Sequence, residues 1–83
     1  DKRRTNIDKH GVDFLYAARI FRGFALTMVD GRDDYGEVRL VSIGRVGDEY
    51  FVVVHTQRGG VNRLISARKG GRRDRRKYQA GFA

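Results

Sequence analysis

The chain is 83 residues long with a net charge of +8, enough for one small domain that buries about 60 to 65% of its unfolded surface. It has no Cys, which excludes a disulfide framework or thiolate metal site, and no signal-peptide pattern or apolar run near the ~18 residues of a membrane span; a soluble cytoplasmic protein is expected. The positive charge points to a polyanion or an acidic protein as partner.

In chain order, Asp1 to Lys9 is rich in helix formers but has only Ile7 as a clear apolar anchor. Gly11 is predicted as its left-handed cap, with His10 at the negative end of the helix dipole. Asp13 is a plausible N-cap for a second helix to about Phe21, because Phe14, Ala17, Ala18 and Phe21 follow the i, i+3, i+4, i+7 pattern. Gly23 ends it. A short strand is predicted over 24–29, then a polar loop from Asp30 to Gly36, then strands over 37–46 and 49–57 joined by Gly47-Asp48. Gly59-Gly60 tolerates the positive φ angles of a two-residue turn and leads into a last strand, Val61 to Ala67.

The turns imply a register. Val41 is placed beside Val54, Ile43 beside Val52, Leu40 beside His55 and Arg39 beside Thr56. Across the second hairpin Thr56 faces Arg63, Val54 faces Ile65 and Val52 faces Ala67. One sheet face then carries Val41, Ile43, Val52, Val54, Ile65 and Ala67 and is predicted to take the second helix. The other carries Leu40, Ser42, Phe51, Val53, His55, Leu64, Ser66 and Arg68, a half-polar face. Seven of the ten residues from Arg68 to Lys77 are Lys or Arg, so a short basic helix is expected after Gly71. Asp74 lies in its first turn, and Tyr78 is its one docking residue. The fold class is therefore α+β: two amino-terminal helices, an antiparallel sheet of three or four strands and a carboxy-terminal basic helix, in a single domain over 1–83.

No Gly-rich phosphate loop and no metal-ligand spacing stands out, and Ser42 and Ser66 lack an evident triad. The remaining set is Arg with a little His, Tyr and Glu. Guanidinium groups hold a phosphodiester bidentately and stabilise its pentacoordinate transition state, while His, Glu or Tyr moves protons. An RNA 2′-hydroxyl supplies the nucleophile, so neither metal nor cofactor is required. A non-catalytic basic module that binds RNA or DNA has nearly the same composition.

Several segments resemble the BrnT family of bacterial toxins: Lys9-His10-Gly11-Val12-Asp13-Phe14, Asp34-Tyr35-Gly36-Glu37, Thr56-Gln57-Arg58, Arg63-Leu64-Ile65-Ser66-Ala67-Arg68 and Arg72-Arg73-Asp74-Arg75-Arg76-Lys77-Tyr78. The resemblance covers essentially the whole chain. It implies a RelE-like ribonuclease toxin of a type II toxin-antitoxin system, a metal-independent endoribonuclease neutralised by BrnA, a ribbon-helix-helix antitoxin. Two toxins and two antitoxins form the expected heterotetramer, which meets operator DNA only through the antitoxin. The family usually opens with a short strand ending in a Trp-Asp pair, and the sequence starts after it. Gly70-Gly71 replaces a small residue plus Thr or Ser, and Asp74 stands where Glu is usual.

The candidate catalytic residues are Arg63, Arg68, His55 and Glu37. Arg63 and Arg68 match patterned family positions but face opposite sides in the predicted register, so one is expected at the scissile phosphate and the other in a structural or antitoxin-binding role. His55 stands where the family often has an aromatic ring, and a packed imidazole is the competing reading. Tyr35 and Glu37 are read as a stacking ring and a base beside Arg39. Arg39 and Arg58, with Lys2 and Lys9, are the expected RNA contacts.

Overall fold

A computed structural model describes residues 1–31 and 38–82. It has three helices and one antiparallel sheet. Helix α1, Lys2–His10, starts where the Asp1 carboxylate accepts from the Arg4 N–H. It ends at Gly11, which has φ 69° and donates its N–H to the Ile7 carbonyl at 2.8 Å. Helix α2, Phe14–Ala17, is capped by Asp13, whose carboxylate accepts from the Leu15 N–H. It does not run on as an α-helix to Phe21, as its periodicity suggests. The chain tightens into a 3₁₀ turn, Ala18–Arg22. In the 3₁₀ form residues i and i+3 eclipse, and the tightened chain buries both Ala17 and Ile20.

The sheet is a meander, β1 Leu26–Asp30, β2 Arg39–Val46, β3 Glu49–Arg58 and β4 Val61–Lys69, in the order β1-β2-β3-β4. Gly59 and Gly60 both have positive φ, 56° and 81°, so the turn is the type that matches strand twist. The β2–β3 pairing is the predicted one, with Val41 opposite Val54 and Leu40 opposite His55.

The β3–β4 pairing departs from expectation. Arg58 faces Val61 and Thr56 faces Arg63 as predicted, but Val54 faces Ser66 and Val53 faces Ala67. Ile65 is an extra residue, a bulge that shifts everything after it by one. Ala67 therefore changes face.

The helices also sit on the other sides. The 3₁₀ turn and α2 cover the face predicted to be half-polar and open: Val12, Ala17, Ile20, Phe51, Val53 and Ala67 form one core cluster, with Phe14, Phe21 and Leu64 against it. Gly44 decides this. A Cβ there would lie 2.6 Å from the Ile20 Cβ, so only glycine lets the turn press onto the strand. The opposite face carries Ile43, Val52 and Tyr78, with Val41 and Tyr50 beside them. Tyr78 belongs to α3, Arg72–Phe82, and docks that helix as predicted. Burying such a ring is worth roughly 2 to 3 kcal/mol.

Helix α3 begins with an internal cap. The Gly71 N–H donates to the Asp74 carboxylate at 2.9 Å, and Arg68 donates to the same oxygen at 3.0 Å. The Gly70 N–H meets the Tyr50 carbonyl at 2.7 Å, which ties the helix start to β3. Among the described residues, no helix is long and apolar enough to cross a membrane.

Candidate functional site

The register assembles a row of side chains across all four strands. Asp30 pairs with Arg39, and Thr56 pairs with Arg63. Arg39, one position before Leu40 and its partner His55, comes next to Thr56. Neighbours in register point to one face of a sheet, so Asp30, Arg39, Thr56 and Arg63 form one line, with Arg58 two residues beyond Thr56 on the same side. Asp30 and Thr56 are buried, Arg39 is half-buried, and Arg58 and Arg63 are exposed. The row lies at the opposite end of β3 from Tyr50, where α3 starts.

This end of the sheet combines positive charge, which suits a phosphate, with the buried carboxylate of Asp30. Of the predicted residues it brings together Arg39, Arg58 and Arg63. Asp30 had been assigned to the loop, although the alternation Leu26, Met28, Asp30 signals its inward face. Tyr35 and Glu37 lie outside the described residues.

Arg68 is placed differently. Because of the bulge it pairs with Val52, so it shares the face of Arg63 instead of opposing it. Its guanidinium is held by Asp74 and donates to the Lys69 carbonyl at 3.2 Å. Burial pushes the Asp74 carboxyl up, but hydrogen bonds from Arg68 and the Gly71 N–H and the charges of Arg68 and Lys77 outweigh it, leaving the group below its ordinary value. Arg68 thus clamps β4 to α3.

His55 is not in the row. It is 1% exposed on the α2 side of the sheet, edge-on to Phe21 at 5.0 Å. Its Nε2 lies 2.7 Å from the Ser42 hydroxyl, which lies 2.7 Å from that of Thr27. Burial lowers its pKa, and the neighbouring Asn62 side chain partly offsets the shift. A packed imidazole describes it. Lys2 and Lys9 line a groove of about 390 Å³ with Asn6, His10, Ile65 and Ser66, between α1 and β4. Among the described residues no group of three His, Asp or Glu side chains gathers as a metal site.

No curated protein matches the sequence. Residues 1–74 match the family described as the ribonuclease toxin, BrnT, of a type II toxin-antitoxin system. With a match over that share of its length, and with the α+β fold and arginine-rich sheet end described above, the chain belongs to the BrnT family of type II toxin-antitoxin ribonuclease toxins.

Proposed function

We propose that the protein is a metal-independent endoribonuclease whose centre is the row Asp30, Arg39, Thr56 and Arg63. The observation that carries this is the register, which lines up guanidinium, hydroxyl and carboxylate groups on one face. In this reading Arg63 and Arg39 hold the scissile phosphate and stabilise its extra negative charge. Asp30 takes the proton of the 2′-hydroxyl as that oxygen attacks the phosphorus, and the 5′-oxygen leaves with a proton from water, giving a 2′,3′-cyclic phosphate and a 5′-hydroxyl. Arg58, Lys2 and Lys9 bind flanking phosphates without reading sequence. Arg68, His55 and Ser42 maintain the scaffold. Glu37 and Tyr35 remain proposed as a base and a stacking ring.

The proposed partner is a BrnA-like ribbon-helix-helix antitoxin in a complex of two toxins and two antitoxins. The exposed cations of α3, Arg72, Arg73, Arg75, Arg76 and Lys77, support an acidic contacting surface. The competing reading is a basic module that binds RNA without cutting it. Incubating the purified protein with end-labelled RNA in EDTA separates the two: defined fragments support the ribonuclease, and retention of intact RNA on the protein supports the module. A small reading frame encoding the antitoxin is expected beside the gene, and co-expression tests it: its product is expected to co-purify and relieve growth arrest.

A further inference from the structure

A second feature lies on the same sheet face, beside α3. Gly23, Phe24, Arg45, Tyr50, Tyr78 and Gln79 line a cleft of about 340 Å³, within the size range of small-ligand sites. Its walls are rings. Phe24 and Tyr78 have centroids 5.4 Å apart, and Tyr50 meets Tyr78 edge-on at 5.4 Å. One guanidinium group in the lining flanks them, Arg45 at 6.0 Å from the Tyr50 centroid; Arg75, at 5.4 Å from the same ring, belongs to a neighbouring groove with Lys69 and Arg72. Tyr78 is buried in its packing, but Phe24 is 41% exposed.

We propose that this cleft binds an unpaired nucleobase of the RNA, stacked on Phe24, with its phosphate held by Arg45 and its edge met by Gln79. An apolar side chain of a protein partner would gain from the rings but not from the cation beside them. A nucleotide uses both, because every base has a π-face and every linkage a negative charge. The Gln79 amide both donates and accepts, as a base edge requires. Position agrees as well. Arg45 lies six positions along β2 from Arg39, on the same face, which is about 20 Å of extended strand. Tyr78 of α3 packs on Ile43 and Val52 between the two places, so one single strand reaches both by passing over that helix, and the base held here lies several nucleotides from the scissile bond. The identity of the ligand rests on the ribonuclease reading above.

The test uses the full chain and a single-stranded RNA oligomer carrying one 2-aminopurine, with 2′-methoxy groups throughout so that it is not cut. Stacking quenches the fluorophore. Wild type is expected to quench it, and Phe24→Ala is expected to weaken binding about tenfold or more while leaving unchanged the affinity for an oligomer lacking a base at that position. Gln79→Ala, at an exposed site, is expected to alter preference among the four bases with no change in melting temperature. Arg45→Gln should lower the salt slope by about one. Equal loss of affinity for intact and abasic oligomers in Phe24→Ala, or an effect of that variant confined to antitoxin capture, overturns the proposal. Ordinary RNA that quenches on binding but stays intact overturns the ribonuclease reading and leaves the base site standing.

Discussion

Asn6 and Ala67 exchange two hydrogen bonds across 61 positions of sequence: the amide of Asn6 donates to the Ala67 carbonyl at 2.9 Å and its oxygen accepts from the Ala67 N–H at 3.0 Å. One buried side chain thus does for the outer edge of β4 what a further strand would do, and it also donates to the Val12 carbonyl at 2.8 Å. Asn6→Ala strands all three backbone groups and is expected to cost roughly 2 to 4 kcal/mol, a large part of a total of about 5 to 15. Asn6→Asp should be no better at neutral pH, since a carboxylate would face two carbonyl oxygens. Urea unfolding midpoints of the three proteins check this; a shift under half of that size for Asn6→Ala would refute it.

Two glycines separate rigid from yielding contacts. At Gly44 an added Cβ meets the Cβ of Ile20, whereas at Gly81 it meets the Cδ1 of Leu26 at 2.7 Å, the far end of a side chain that can rotate. Gly44→Ala is therefore expected to lose about 1 to 3 kcal/mol. Shortening Ile20 to Val or Ala should not rescue it, because the Cβ remains. Gly81→Ala should stay within about 0.5 kcal/mol of wild type, its clash offset by better helix propensity. Thermal melts of the four variants decide the matter.

The local parts of this fold were open to reading from sequence. Asp13 and Gly11 cap helices through their own neighbours, and Gly59-Gly60 closes a turn that only such residues fit, so short-range chemistry carried the information. The sides of the sheet were not. Phe51, Val52, Val53 and Val54 are apolar at every position, so alternation on β3 cannot say which face takes which helix; the answer lies in Gly44 and Ile20, which touch only after folding. Ile65 differs in no way from a regular strand residue, so the bulge left no mark in the sequence, and with it went the placement of Arg68 on the same face as Arg63. Asp30 was passed over because a loop rich in Asp and Gly begins immediately after it.

The candidate row makes a graded forecast for RNA cleavage. Arg63→Ala is expected to reduce turnover about 10²- to 10³-fold if its guanidinium meets the transition state, and Asp30→Asn by a similar factor. Lys2→Ala should change mainly the salt dependence of binding. Single-turnover rates in EDTA with saturating protein provide the measurement. Equal small effects from all three variants would remove the row from consideration.

Acid stability should carry two signatures. Burial holds the His55 imidazole below its ordinary 6.5. The unfolded chain therefore binds the extra proton first: His55 contributes nothing above about pH 6.5, and stability falls as pH drops below that value until the folded pKa is passed. His55→Gln should flatten this limb of the stability curve, whatever its cost at pH 8. Asp13 acts at lower pH. A hydrogen bond from Arg3, with one from the Leu15 N–H, holds its carboxyl at about 2 against an ordinary 3.8. Its contribution is complete above that ordinary value and lost as pH falls through about 2. Denaturation at stepped pH, repeated with Arg3→Gln, should show that lower limb shrink to the part the Leu15 N–H supports.

The surplus residue in β4 has a genetic corollary. Deleting Ile65 would join Leu64 to Ser66 and leave each observed pair intact, from Arg58 with Val61 to Phe51 with Lys69. Removing Leu64 or Ser66 gives the same regular register with Ile65 in the vacated place, whereas removing a residue farther along the strand would misalign a stretch of it against β3 or oblige the bulge to move. A scan of single-codon deletions through 62–68 should find its permissive sites clustered at 64–66, with 65 the best tolerated, and natural variants shortened by one residue in this hairpin should have lost it there.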